Sequence, residues 1–282
     1  MGLEVLQCVI VLYKTEAADS VALQSLRDCL RTLGDGIDLL LYDNSPVSTS
    51  FLKEDWQRGN LRYIHDPRNE GLATAYNSAL REASKNHHTW LLLFDQDTKV
   101  DAGFLNALRD QLASELPGEV CAVVPRLVQG DTFISPTCVQ GMREVALEAD
   151  VSGVYLSRIQ ALNSGACLRV AAMEAIGGFP AEYPLDYLDH AVFFRLQQAG
   201  GRVVVLGCTL QHRLSLLNLQ PEMSPTRYRL LLSAERHFIR ESASRTSQWI
   251  YRARLLKRSW NQARRQRSFQ HAWITLQAAI KM

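Results

Sequence analysis

Residues 90–101 read WLLLFDQDTKVD. Apolar residues run from Trp90 to Phe94 and meet Asp95-Gln96-Asp97 directly. A continuous apolar run of this length predicts a buried strand. Carboxylates one residue apart at its end have two readings. A turn suits Asp97, because Asp side chains bond nearby backbone. Asp101 sits where an N-cap would precede a helix carrying Phe104, Leu105, Leu108 and Leu112 on one side. Neither accounts well for Asp95. Two hard oxygen ligands at the C-terminal edge of a strand can instead hold Mg²⁺ or Mn²⁺ against a diphosphate, and open α/β sheets take ligands at those edges.

The chain around this stretch repeats the same alternation. Residues 5–12 (VLQCVIVL), 37–42 (IDLLLY), 61–65 (LRYIH) and 119–125 (EVCAVVP) read as further strands. Between them lie two stretches of helical spacing, one with Val21, Leu23, Leu26, Leu30 and Leu33, the other with Leu72, Ala75, Tyr76, Ala79, Leu80 and Ala83. Apolar runs alternating with amphipathic helices predict an α/β fold with a Rossmann-like, mostly parallel sheet flanked by helices. After residue 126 the pattern loosens, and residues 135–153 (SPTCVQGMREVALEADVSG) suit a long loop or small hairpins bordering a site. Residues 161–170 then predict a strand entering a helix, residues from about Asp186 a helix closed by glycine, and RVVVLG (202–207) a last strand.

Composition and charge narrow the function. At 282 residues and 47% hydrophobic, the chain has room for one large domain plus an extension. No apolar run approaches the roughly 18 residues needed to span a bilayer. The apolar start lacks the pattern of a signal peptide, and MGLEVL lacks that of a myristoylation motif. Cysteines 8, 29, 121, 138, 167 and 208 form no Cys-x-x-Cys and read as free core thiols of a cytoplasmic protein. The net charge of +2 hides an asymmetry: residues 222–282 hold 13 Lys and Arg against 3 Asp and Glu, leaving the rest at −8. Trp249, Ala253, Leu256 and Trp260 among these arginines predict basic amphipathic helices suited to an anionic membrane surface, the alternative being a helical cap on the main domain with its charges solvated. No nucleic-acid-reading motif accompanies the charge. The expected division is 1–221 for the main domain (1–126 and 127–221 as halves) and 222–282 for a basic helical extension.

Four segments occur in order: VIVLYK at 9–14, LLLYDNSP at 39–46, DPRNEGLATAYNSAL at 66–80, and LLLFDQDT at 91–98. Ser164-Gly165, Ile176-Gly177-Gly178-Phe179, Asp186-Tyr187-Leu188-Asp189, Arg195 and a late His212 follow. Over residues 5–240 this set resembles family 2 glycosyltransferases of the GT-A fold, and more closely their bacterial rhamnosyltransferase branch. The resemblance implies an inverting glycosyltransferase that uses Mg²⁺ or Mn²⁺. The donor would be a nucleotide sugar, best matched by dTDP-rhamnose, and the acceptor a glycan or lipid-linked saccharide. The basic extension would hold such an enzyme at the inner face of the plasma membrane.

The resemblance also implies residue roles. Tyr13, Asp43 and Asn44 would line the nucleoside, with Asp43 bonding the base; the alternative for Asp43-Asn44 is a turn before Pro46. Arg68, Asn69 and Gly71 would meet donor or phosphate at a helix N-terminus, although Asn69 also suits a plain cap. Asp95 would meet ribose or metal, and Asp97 would ligate the metal with His212 completing its shell, although a lone His there also suits a purely structural role. Asp189 would be the general base that takes the acceptor proton, with Asp186 beside it as a supporting or capping group. Many members carry Glu-Asp where this chain has Leu188-Asp189. His190 is expected to point away from Asp189 on its helix, and His87-His88 to face solvent. Two other classes compete. A nucleotidyltransferase acting on sugar phosphates would carry a Gly-rich basic loop where this chain has YKTEAADS (13–20). A non-catalytic nucleotide-sugar-binding protein would have no need of Asp43, Asp95, Asp97 and Asp189 together.

Overall fold

The computed structural model describes residues 3–50, 56, 59–140, 143–147, 152–155, 158–212, 223–265 and 268–282. Strands β1 (Leu6–Leu12), β2 (Asp38–Asp43), β3 (Leu61–His65) and β4 (Trp90–Asp95) lie parallel in the order β3-β2-β1-β4. β1 is buried throughout, and β2 and β4 nearly so, which is why their sequences are continuous rather than alternating. Helices α1 (Val21–Leu33) and α3 (Ala102–Ala113) cover one face with Leu23, Leu26, Leu30, Phe104 and Leu108. Helix α2 (Leu72–Lys85) covers the other with Ala75, Tyr76, Ala79 and Leu80. Asp101 caps α3 by accepting from the Phe104 N–H at 2.8 Å, as its spacing predicts. Phe94 is fully buried and meets Phe104 edge-on, ring centroids 6.0 Å apart; truncating such a ring costs about 3–5 kcal/mol.

β5 (Val120–Gln129) does not pair with β4. The three-residue β11 (Cys167–Arg169) sits antiparallel between them. The loosely patterned region supplies β6 (Thr132–Ser135), β7 (Thr137–Gln140), β8 (Arg143–Ala146), β9 (Gly153–Tyr155) and β10 (Ile159–Gln160). Of these, β10-β7-β8 form a separate small sheet. α4 (Val170–Ala175) follows β11 directly, and the last strand, β12 (Arg202–Gln211), runs parallel to β5. Helix α5 (Leu188–Gln198) starts at Leu188 rather than near Asp186, because Tyr187 takes a left-handed conformation, φ 62°, at its N-cap.

Helices α6 (Pro225–Ser242), α7 (Arg245–Arg264) and α8 (Phe269–Ile280) form the extension. Its Leu232, Tyr251, Leu255 and Ile274 build a small core of their own, while Ala234 and Phe238 of α6 join the cluster around α5. The expected boundary at 221/222, residues 148–151 and Arg267 lie outside the described residues. All six cysteines are free; Cys8, Cys121 and Cys167 are buried and the other three half-buried. His88 is not solvent-facing: its Nε2 meets Asp38 at 3.1 Å.

One junction sets the geometry of the site. Gly71, at φ 94°, is the N-cap of α2, and a Cβ there would stand 2.2 Å from the Pro184 carbonyl oxygen. That oxygen accepts from the Leu72 N–H at 2.6 Å. The loop before α5 therefore caps α2. Asn77 strengthens the junction, its side chain bonding the Phe179 carbonyl at 2.7 Å and N–H at 2.9 Å. Gly71→Ala is expected to lose about 1–3 kcal/mol in a denaturant titration. Gly34→Ala, at φ 69° with no atom within 4 Å of the added Cβ, is expected to lose about 1 kcal/mol from backbone conformation alone.

Candidate active site

The segment after β4 is fixed before any ligand arrives. Gln96, which the sequence reading leaves unassigned, accepts from the Tyr13 N–H at 2.8 Å and donates to the Tyr13 carbonyl at 3.3 Å. Its own carbonyl accepts from the Ser20 hydroxyl and the Ala22 N–H, both at 3.1 Å. Gln96 thus ties the exit of β4 to the exit of β1, and turns Asp95 and Asp97 to its flanks. Thr98 and Ser164 are fully buried. Their hydroxyls bond each other, and the Thr98 oxygen also meets His212 Nδ1 at 3.0 Å.

One ligand atom each from Asp95, Asp97 and His212 falls within 4.8 Å of the others. This set fits a divalent cation. Two carboxylates and an imidazole are donors that Mn²⁺ accepts readily and Mg²⁺ tolerates. Thr98 occupies Nδ1 and orients the ring so that Nε2 is the nitrogen left for a metal. The electrostatics agree. Burial pushes the Asp95 carboxyl up to about 6; His212 and the Tyr76 hydroxyl pull it down, while the Asp97 and Asp189 charges push it higher. A cation in the cluster would relieve that strain between carboxylates.

Asp189 stands across from this cluster. Its charge acts on Asp95. Burial, together with the charges of Asp95 and Asp189, also pushes the wholly buried Tyr76 hydroxyl well above its ordinary range. Asp189 Oδ1 accepts the His190 N–H at 2.8 Å and meets His190 Nδ1 at 2.8 Å. His190 therefore turns toward Asp189, contrary to helical-wheel expectation. The Tyr187 ring (centroids 4.9 Å) and the Phe238 ring of α6 (5.6 Å) hold it there. Its Nε2 meets Glu144 of β8 at 3.0 Å. Neither His190 nor Glu144 is legible as a site residue in sequence, since Glu144 lies in the irregular region.

The remaining residues divide. Asp43 is fully buried and accepts from the Ser45 N–H (2.9 Å), the Thr49 N–H (3.0 Å) and the Tyr63 hydroxyl (2.7 Å). It thereby shapes the loop walling a pocket of about 550 Å³, which Lys14, Glu16, Asp19, Ser45 and Val47 also line. Asn44 is buried, its Oδ1 without a partner among the described residues and its Nδ2 reaching the Gly71 carbonyl at 3.5 Å. Tyr13 is exposed beside Lys14. Arg68 forks onto Asp66 through two 2.8 Å bonds and also pairs with Glu70. Asn69 lies two residues before the α2 cap, so Gly71 and Pro184 do the capping. Asp186 faces α6, where Arg227 grips both its oxygens.

A carboxylate pair and an imidazole at the C-terminal edge of a Rossmann-like sheet, facing a separate carboxylate, suit metal-assisted transfer of a group from a phosphate. The comparisons name the class. Residues 8–144 match the family model "Glycosyl transferase family 2". Residues 8–144, a little under half of the chain, are thus similar to a family 2 glycosyltransferase domain, and the chain has the GT-A fold. Asp189 and His212 lie beyond the matched segment and enter the site through the fold. The S. aureus TarS 1-349 crystal structure superposes with a TM-score of 0.52 at 14% identity, covering 93% of this chain and 82% of that one. The TarS 1-349 complex with UDP-GlcNAc gives 0.51 at 14% identity, covering 86% and 68%. No curated protein matches the chain.

Thr98→Val removes the hydroxyl that orients His212 with little change of shape. Mn²⁺ affinity, measured by calorimetry, is expected to fall about tenfold.

Proposed function

We propose that this chain is an inverting, metal-dependent glycosyltransferase that moves L-rhamnose from dTDP-rhamnose onto a glycan or lipid-linked glycan. The observation that carries the reading is the approach of Asp189 to the Asp95-Asp97-His212 cluster, close enough for its charge to act on Asp95. The likeness of Asp95-Gln96-Asp97-Thr98 and the segments after it to the rhamnosyltransferase branch supports the sugar. A nucleotide sugar bound in one of the S. aureus TarS structures supports the donor class.

The chain's own groups account for the reaction. The donor diphosphate seats against the Asp95-Asp97-His212 edge, and the nucleoside extends toward Tyr13, Asn44 and the pocket wall that Asp43 shapes. Asp95, Asp97 and His212 would hold a divalent ion, whose positive charge would neutralise the departing diphosphate. Asp189 takes the proton of the acceptor hydroxyl as that oxygen attacks the anomeric carbon from the face opposite the diphosphate. Attack from that face inverts the configuration.

Calorimetry of dTDP, UDP and GDP and of dTDP-rhamnose and UDP-GlcNAc, with and without Mn²⁺, tests the donor. Metal-dependent binding of dTDP-rhamnose is expected; preference for a UDP or GDP species discards the rhamnose assignment. Asp189→Asn is expected to keep donor binding and lose turnover by at least about 10²-fold, whereas Asp97→Ala loses the metal-dependent part of binding.

The extension supports attachment to an anionic membrane at the cytoplasmic face. α7 turns Tyr251 and Leu255 inward and leaves Trp249 and Trp260 exposed; α8 likewise leaves Phe269, Trp273 and Ile280 exposed. Positions 249, 256 and 260, like 269, 273 and 280, fall on one helical face. Residues 242–282 contain nine Lys and Arg and no Asp or Glu. Among the described residues no helix is long and apolar enough to cross a membrane, so the stripes suit lying in the interface. Vesicles of phosphatidylglycerol are expected to sediment the protein at low salt and those of phosphatidylcholine to leave it in solution. Trp249→Ser with Trp273→Ser is expected to weaken binding about tenfold; equal binding to both lipids would discard the charge-based attachment.

A further inference from the structure

The side chains behind Asp189 form a chain of their own. Asp189 Oδ1 is filled by the His190 N–H and Nδ1, both at 2.8 Å. Among the described residues, Oδ2 has no hydrogen-bond partner. His190 Nε2 meets Glu144 Oε1 at 3.0 Å, and Glu144 Oε2 accepts from the Thr137 hydroxyl of β7 at 3.0 Å. The imidazole is thus suspended between two carboxylates from different elements.

We propose that Glu144 and His190 are a positioning pair for Asp189, holding its carboxylate in one rotamer with Oδ2 turned free to receive a proton. The proposal rests on the reading of Asp189 as the general base. The groups around the ring fit it. Asp189 lies on the same helix, Glu144 comes from β8, Tyr187 and Phe238 cover the ring faces, and Gln160 of β10 reaches the His190 carbonyl at 3.5 Å. Beyond Tyr187, Glu235 and Arg258 pair with each other and act on the Tyr187 hydroxyl. Burial alone would pull a protonated His190 down. The Asp189 charge and the hydrogen bonds to Asp189 and Glu144 outweigh it and raise the ring to about 10. A doubly protonated ring gives one N–H to each carboxylate.

This arrangement answers a difficulty of the site. Asp189 must take up a proton with one defined oxygen although its charge already acts on Asp95. The His190 N–H and ring fill Oδ1 and leave Oδ2 as the oxygen to receive it. Glu144 holds the far side of the ring, so the ring cannot swing away from Asp189. During transfer the acceptor O–H bond breaks and its proton goes to Asp189 Oδ2. The acceptor oxygen bonds the anomeric carbon, and the diphosphate leaves with the pair of the broken C–O bond. His190 neither gains nor loses a proton. Because its folded-state value is raised, the bridge contributes stability in full below its ordinary 6.5 and loses it as pH rises through about 10.

Ring-nitrogen NMR of the full chain carrying ¹⁵N-histidine reads the bridge without any donor. One ring of the seven histidines is expected to stay doubly protonated at pH 8, to vanish in His190→Gln, and to titrate closer to neutrality in Glu144→Gln. A His190 ring titrating near 6.5 in the wild type overturns the proposal. Turnover is followed as nucleoside diphosphate released from dTDP-rhamnose and UDP-GlcNAc, with water as acceptor. Glu144→Gln and His190→Gln are each expected to lower kcat about tenfold with donor KM within about twofold, and to move the acidic limb of the kcat profile. Wild-type kcat in both, with Asp189→Asn inactive, overturns the pair alone. Wild-type kcat in Asp189→Asn overturns the reading of the base on which the pair rests.

Discussion

The buried contact among Thr98, Ser164 and His212 is the constraint from which the site follows. Three polar side chains from distant parts of the chain meet where Thr98 and Ser164 are fully buried and His212 nearly so. Each must be satisfied by the others, because a buried hydroxyl without a partner costs about 1–3 kcal/mol. Ser164 also accepts from the Asp95 N–H at 3.2 Å. The end of β4, the entry to β11 and the exit of β12 are thereby locked in one arrangement. Asp95, Asp97 and His212 converge because their backbones are already held, so the cluster is assembled before a cation is bound.

Asp189 is held by a different set of contacts, and they come largely from the extension. Arg227 of α6 grips Asp186. Glu241 of α6 accepts from Arg195 Nε and from the Tyr183 hydroxyl, both at 2.7 Å. Phe238 packs on Tyr187, His190 and Phe194. These bonds flank Asp189 on both sides in sequence. Desolvated ion pairs add little net stability, yet they are costly to break one partner at a time, so they favour one geometry. A basic helical segment read from sequence as a separate attachment device is, through α6, part of what fixes the loop before α5. Attachment of α7 and α8 to a surface would therefore bear on the same frame that orients Asp189.

Much of the amino-terminal half was legible in the sequence for a physical reason. Strands β1, β2 and β4 are buried on both faces, the half-buried β3 is a short run at the sheet edge, and the helices between them are amphipathic, so pattern alone marks β3 at 61–65 and α1 at 21–33. Asp101 was legible as a cap because capping is local. The less readable features are non-local. Gly71 and Pro184 meet across 113 positions of chain, and no local rule announces that a proline carbonyl will cap α2. Gln96 looks like filler between two carboxylates until Tyr13 is seen opposite it. His190 misled the helical wheel because Asp189 is its immediate neighbour and a first-turn side chain can bend back across the helix start. β11 has only three residues, too few for periodicity to declare its direction.

That short strand explains why Ser-Gly belongs with Asp-x-Asp. An antiparallel β11 beside β4 brings its own beginning, Asn163 to Ala166, to the edge where β4 ends. The Gly165 N–H donates to the Leu93 carbonyl at 2.7 Å, and the Leu93 N–H to the Ala166 carbonyl at 3.0 Å. Gly165 sits at φ 78°, where a Cβ would stand 2.8 Å from Pro125 Cγ. Only glycine fits that position without displacing β5. The turn it permits sets Ser164 against Thr98 rather than one residue out of register, where the side chain would point to the opposite face. A parallel strand in the same place would bring its far end there and would need a long crossover to do so. The direction of three residues thus decides which hydroxyl supports His212, and through it whether this sheet edge can gather a cation.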